Sequence, residues 1–124
     1  MKGLRISLAM LVFVLAVNVY FYMYISSSTN EICELIDDME RMMNEGVLSE
    51  EIFLKISERT EKNIPVWQIV INHSETDNVT VTLDSLRGAV KNGDIYYGRV
   101  YLGSLRFYIS NLFEREKLSL SNIF

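Results

Sequence analysis

The sequence predicts an all-α protein: one N-terminal transmembrane helix leading into a small antiparallel bundle of about four helices. Three observations carry that reading. Residues 6–25 contain no charged side chain. Apolar residues then recur every three or four positions from Ile32 to Met43, and do so again from Leu102 to Leu112. That spacing gathers side chains on one face of a helix, as burial against neighbouring helices requires.

The charge-free run comes first. About 20 apolar residues rising ~1.5 Å each cross a hydrocarbon layer of ~30 Å, so residues 6–25 suit a transmembrane anchor. Lys2, Arg5 and the terminal amine precede the run, whereas the first charges after it are Glu31, Glu34, Asp37 and Asp38. The positive-inside rule then makes residues 1–5 cytoplasmic and residues 26–124 an extracytoplasmic helical domain. Tyr20, Tyr22 and Tyr24 cluster at the outer end, where amphipathic rings suit the headgroup layer. A cleaved export signal has a shorter apolar core, so an uncleaved signal anchor is expected, although Ser26 and Ser28 are small enough for a cleavage site. Cys33 lies in a polar context unlike a lipoprotein box. Gly3 lacks the glutamate that prepilins carry five residues after their cleavage glycine.

About a hundred residues remain for one small domain. Beyond the anchor stand ten basic and sixteen acidic residues, a net of −6. The imbalance is local: residues 31–51 hold eight acids against Arg41 alone, while residues 52–124 are near neutral. Such an acidic stretch repels nucleic acid and anionic lipid. It reads as a solvated helix face, or as a docking strip for a basic partner or cation through Asp37 and Asp38. A single cysteine, Cys33, excludes an intrachain disulfide and falls among Ile32, Leu35 and Ile36, as a small buried hydrophobe would. A bond between two copies is its other use. The triplets beginning at Asn72 and Asn78 match the glycosylation pattern, which is too short to carry weight.

Each later element has its own signals. The stripe Ile32, Leu35, Ile36, Met39, Met42, Met43 marks the first external helix, with Ser28 and Glu31 at capping-box spacing unless the spanning helix simply continues. Gly46 supplies a stop. Ser49 caps a second helix whose first turn carries Glu50 and Glu51 and whose apolar side is Ile52, Phe53 and Ile56. Asn63 and Pro65 interrupt the pattern, and proline fits best in the first turn of a new helix. Val79, Val81 and Leu83 alternate with polar residues like a strand, yet Val79, Leu83, Leu86 and Val90 also form a helical stripe. Residues 92–94 (Asn-Gly-Asp) suit a hairpin turn or a helix stop followed by a cap. Tyr96, Tyr97, Val100 and Tyr101 favour strand by propensity, and Leu102, Leu105, Ile109 and Leu112 favour helix by spacing. Residues 79–109 therefore stay open between helix and an α+β alternative with a C-terminal antiparallel hairpin. The longer window favours helix.

Val66, Trp67, His73, Glu75, Asp77, Asn78, Leu83, Leu86, Asp94, Leu105, Arg106 and Phe107 resemble a bacterial family of short, single-anchored proteins. So does the ending from Glu114 through Lys117, Leu118, Leu120 and Asn122 to Ile123 and Phe124, its most specific element. The family is catalogued as domain of unknown function 4363, and the likeness runs over the full length. It implies an all-helical domain and brings no activity. Its members tend to be encoded near a multi-spanning membrane protein, which suggests a partner. This chain departs from the family trend in carrying Thr, Val and Tyr where Glu, Ala and Lys are commoner.

Candidate sites are few. His73 and Asp77 lie one helical turn apart and are the only compact pair of metal-ligand types, while Glu75 points elsewhere. A zinc site needs a third protein ligand, for which Asp37 or Asp38 would have to approach. Otherwise the pair makes hydrogen bonds at a helix junction, and no metal or cofactor is expected. Trp67 suits a core anchor better than a ligand-stacking platform. Leu118, Leu120, Ile123 and Phe124 are too apolar for a loose tail and either fold back or dock on a partner, with Ile123 and Phe124 as anchors. Asn18, with Ala9 and Ala16, would suit contact with another membrane helix. One histidine and one cysteine forty residues apart offer no nucleophile–base pair, and no phosphate loop or zinc-protease motif occurs, so no enzyme is expected. The expected role is a membrane-anchored interaction or accessory subunit of another membrane protein. The alternative is an extracytoplasmic sensor or binding domain for a cation or small ligand. The sequence leaves homo-oligomerisation open.

Overall fold

The computed structural model describes the backbone of residues 1–123 and the side chains of residues 1–112. Four helices follow one another: α1 (Lys2–Asn44), α2 (Glu50–Val70), α3 (His73–Asn92) and α4 (Ile95–Ile123). No strand occurs among the described residues. Each helix packs on its chain neighbours, and α4 closes the ring against α1. Short connections make neighbours antiparallel, so the arrangement is an up-and-down four-helix bundle. The stripes of residues 79–90 and 102–112 thus prevail over local strand propensity, because each supplies a continuous buried face (Val79, Leu83, Leu86; Leu102, Leu105, Ile109, Leu112).

Helix α1 is twice as long as its partners' shared core needs. Its second half contributes Ile25, Ile32, Ile36, Met39 and Met43 to the core, while apolar residues from Leu4 to Met23 stand exposed. There is no break between the halves, and Ser28 with Glu31 lies mid-helix rather than at a cap. Residues 26–30, Ser-Ser-Ser-Thr-Asn, would suit a linker by composition. They stay helical here. The hydroxyls of Ser28 and Thr29 donate to the Ile25 carbonyl at 3.1 and 2.8 Å, bonding back to the previous turn. Trp67 of α2, fully buried, donates its indole N–H to Ser28 Oγ at 3.0 Å. Tyr24 donates its hydroxyl to Asn63 Oδ1 at 2.5 Å. These two bonds set the register of α2 on α1 around the exit of the charge-free run.

The stops and caps fall largely where the residues place them. Gly46 (φ 84°) and Gly93 (φ 66°) take the left-handed conformation that closes a helix. Ser49 Oγ accepts from Ile52 N, and Asp94 Oδ1 accepts from Tyr97 N. The exception is the start of the third helix. Pro65 lies inside α2, and the break comes at Ile71 and Asn72 instead. Pro65 sits on an exposed face, so the Glu61 carbonyl that loses its N–H donor meets water. The flanking bonds of Asn63 and Trp67 hold the helix through it. Asn72 then caps α3, its side-chain oxygen accepting from Ser74 N at 3.1 Å.

Helices α2 and α3 are joined by Arg87. Its guanidinium donates to Ser57 Oγ and Glu61 Oε1 from α2 and to Asp84 of its own helix, each at 2.7 Å. It also lies 5.8 Å from the Phe53 ring centroid. Nearer the loop, Gln68 donates to Thr76 Oγ1.

Candidate functional site

The acidic helix face is largely occupied from within. Arg106 of α4 reaches across to Asp37 and Glu40, Arg41 pairs with Asp38 on α1, and Arg59 of α2 pairs with Glu31. Arg99 donates to the Met43 carbonyl at 2.8 Å, placing a cation at the negative end of α1. Asp37 and Asp38, proposed above for a basic partner, are therefore already engaged with arginines. All of these pairs stay partly solvated, where each contributes little beyond register.

His73 and Asp77 are both exposed near the start of α3, and no hydrogen bond joins them among the described contacts. A third ligand does not arrive: α3 and α1 are diagonal in the ring and make no helix–helix contact. No group of three or more His, Cys, Asp or Glu side chains able to hold a metal occurs among the described residues. Trp67 is closed inside the core, so its ring offers no stacking platform. Cys33 is half-buried between α1 and α4, its Sγ 4.0 Å from Ser110 Oγ. Burial pushes its thiol pKa up, with Ser110 and Arg106 pulling part of the way back. Ile123 and Phe124, named as docking anchors, lie outside the described side chains, as do Leu118 and Leu120.

The surface that stands out is on α4. Its core positions Leu102, Leu105, Ile109 and Leu112 are matched on the opposite side by Tyr96, Val100, Gly103 and Phe107, spaced +4, +3 and +4. Tyr96 is 68 % exposed, Val100 47 % and Phe107 61 %. Tyr97 packs edge-on to Tyr96 and stacks on Tyr101, widening the strip with aromatic surface. Gly103 has open space where a Cβ would stand, so another backbone can come close there. Beside it, a groove of about 170 Å³ between α1 and α4 is lined by Glu40, Met43, Arg99 and Arg106. The sequence held the signal for this strip, a second helical stripe opposite the first. Tyr and Val at these positions also favour strand by propensity, which masks the stripe.

Helix α1 is long and apolar enough to cross a membrane, with none of its most apolar window buried in the bundle. The chain belongs to the family described as domain of unknown function (DUF4363), whose model matches residues 19–123. That match spans the whole bundle and omits most of the exposed apolar run. No curated protein and no solved structure matches the chain.

Proposed function

We propose that this protein is a single-pass membrane subunit whose extracytoplasmic bundle docks onto another membrane protein along the outer face of α4, without chemistry of its own. The observation that carries the proposal is the exposed strip Tyr96, Val100, Gly103 and Phe107. A bundle whose core is already filled gains nothing by displaying aligned aromatic and aliphatic side chains to water, and such strips mark contact surfaces. The shape fits a partner helix laid into the Gly103 gap. Reach narrows the class of partner. The bundle half of α1, residues 25–44, is only ~30 Å long, so what it meets must expose a helix within that layer of the bilayer surface. Another membrane protein meets this condition. Lys2 and Arg5 before the span, and the acids after it, support a cytoplasmic N-terminus and an external bundle.

The test is site-specific photocrosslinking in native membranes, with the probe at Val100 on the strip and at Glu58 on the outer face of α2. A discrete adduct with a second protein from Val100, absent from Glu58 and lost in Phe107→Asp, is the expected result. Adducts only with the same chain would replace the accessory role with self-assembly. Equal adducts from both positions would remove the strip as the docking surface.

A further inference from the structure

At the α2–α3 corner two adjacent apolar side chains face outward. Ile69 is 68 % exposed and Val70 37 %, next to exposed Pro65 and half-buried Val66. Residues 63–72 contain no charged side chain, the longest such stretch outside the N-terminal run that has its side chains described. Its position along the bundle is set by two bonds already described: Asn63 meets Tyr24, and Trp67 meets Ser28. Because α2 runs antiparallel to α1, every residue after Asn63 moves toward the N-terminal half of α1. The two bonds cross, each long side chain reaching about one turn along the neighbouring helix, and together they set residue 65 level with residue 26. Val70, five residues on, lies ~7.5 Å further in that direction. Ile69 and Val70 therefore come level with the outer turns of the charge-free run, among Tyr20, Phe21 and Tyr24.

From this register we infer that the α2–α3 corner is a second membrane contact, with Ile69 and Val70 seated in the interfacial layer of the phospholipid bilayer that α1 crosses. The inference rests on the transmembrane reading of α1. If residues 6–25 fill the hydrocarbon layer, a rigid bundle clamped at Tyr24 and Ser28 cannot hold Val70 in bulk water. The chemistry at the corner agrees with lipid as the occupant. The last charge on α2 before the corner is Lys62, and the next acid on α3 is Glu75. Residues 63–71 between them are aliphatic apart from Pro65, the buried Trp67 and two uncharged amides, and the polar Asn72, His73 and Ser74 follow only as α3 begins. A single-helix anchor leaves a bundle free to tilt and spin about the membrane normal; a second contact removes that freedom and holds the α4 strip at one orientation to a neighbour. The corner would thus position the docking surface rather than form part of it.

Nitroxide labels on the full-length chain in phosphatidylcholine vesicles test this, with Cys33→Ala as background and single cysteines at Phe13→Cys, Ile69→Cys, Val70→Cys and Leu54→Cys. Power saturation compares collisions with oxygen, which partitions into lipid, and with a water-soluble nickel chelate. The expected result is oxygen-dominated collisions at Phe13, Ile69 and Val70, and nickel-dominated collisions at Leu54. Oxygen dominance at Phe13 with nickel dominance at Ile69 and Val70 would overturn the second contact and leave the anchor standing. Nickel dominance at Phe13 would overturn both. Shielding of Ile69 from both reagents would mean that protein, such as a second copy, covers the corner, and would overturn lipid as the occupant.

Discussion

The two halves of α1 are one uninterrupted helix built for two different surroundings. In the first half, consecutive residues Met10, Leu11, Val12, Phe13 and Val14 are all exposed and all apolar, so every face is the same. In the second half, Ile32, Ile36, Met39 and Met43 are buried while Glu31, Asp37 and Glu40 face outward. A helix apolar all round matches a solvent that is apolar all round, and a striped helix matches a core on one side and water on the other. The change comes within about three turns, at residues 20–30, and needs no linker because hydroxyls and Trp67 hold the backbone there.

The sharpest way to separate the halves is to damage each alone. Leu11→Arg with Val14→Arg puts two charges near the middle of the span, at a cost of about 3 kcal/mol each. The chain should leave the carbonate-resistant membrane fraction while the bundle's urea unfolding stays unchanged. Trp67→Ala should do the reverse. Emptying that site removes a large buried ring and the Ser28 bond and should cost the bundle about 3–5 kcal/mol in urea unfolding, with membrane insertion intact. If Trp67→Ala also released the chain from membranes, the halves would not be independent.

Smaller effects probe the bundle half. Arg87→Ala breaks the α2–α3 junction and should cost about 1–2 kcal/mol, since its charged hydrogen bonds are partly screened by water. Ser49→Ala removes the α2 cap for about 1 kcal/mol. Both are read from chemical denaturation, and a larger loss from Ser49→Ala than from Arg87→Ala would contradict the packing described. The smallest effect is a pH dependence. Because the folded state raises the Cys33 pKa, it favours the neutral thiol. That preference is fully present below the ordinary thiol range, about 8.5, and is lost as pH rises through the higher folded value. Wild type should therefore lose slightly more stability than Cys33→Ala between neutral and strongly alkaline pH. The thiol should also alkylate more slowly than a free cysteine at neutral pH.

What could be read from the residues alone divides by range. The stripes, Gly46, Ser49, Gly93 and Asp94 act within a turn or two of themselves, and each does what its neighbours imply. The end of α2 could not be read that way. Whether Pro65 starts a helix or sits within one depends on contacts from Tyr24 and Ser28, some forty residues earlier in the chain. The engagement of Asp37 with Arg106 is likewise a fact of packing, and it sets a cation of α4 beside an acid that the sequence alone leaves unpaired. The α4 strip fell between these cases: its period was visible, but its exposure follows only from knowing which side faces the core.

The central claim is that α1 carries the bundle on the membrane as one rigid rod. Spin labels at Phe13→Cys and Asp38→Cys, in the Cys33→Ala chain in vesicles, lie twenty-five residues apart, and a continuous helix places their backbones ~38 Å apart. Pulsed dipolar spectroscopy should return one narrow distribution near that separation. A broad or clearly shorter distribution would show a hinge at residues 26–30 and contradict the account.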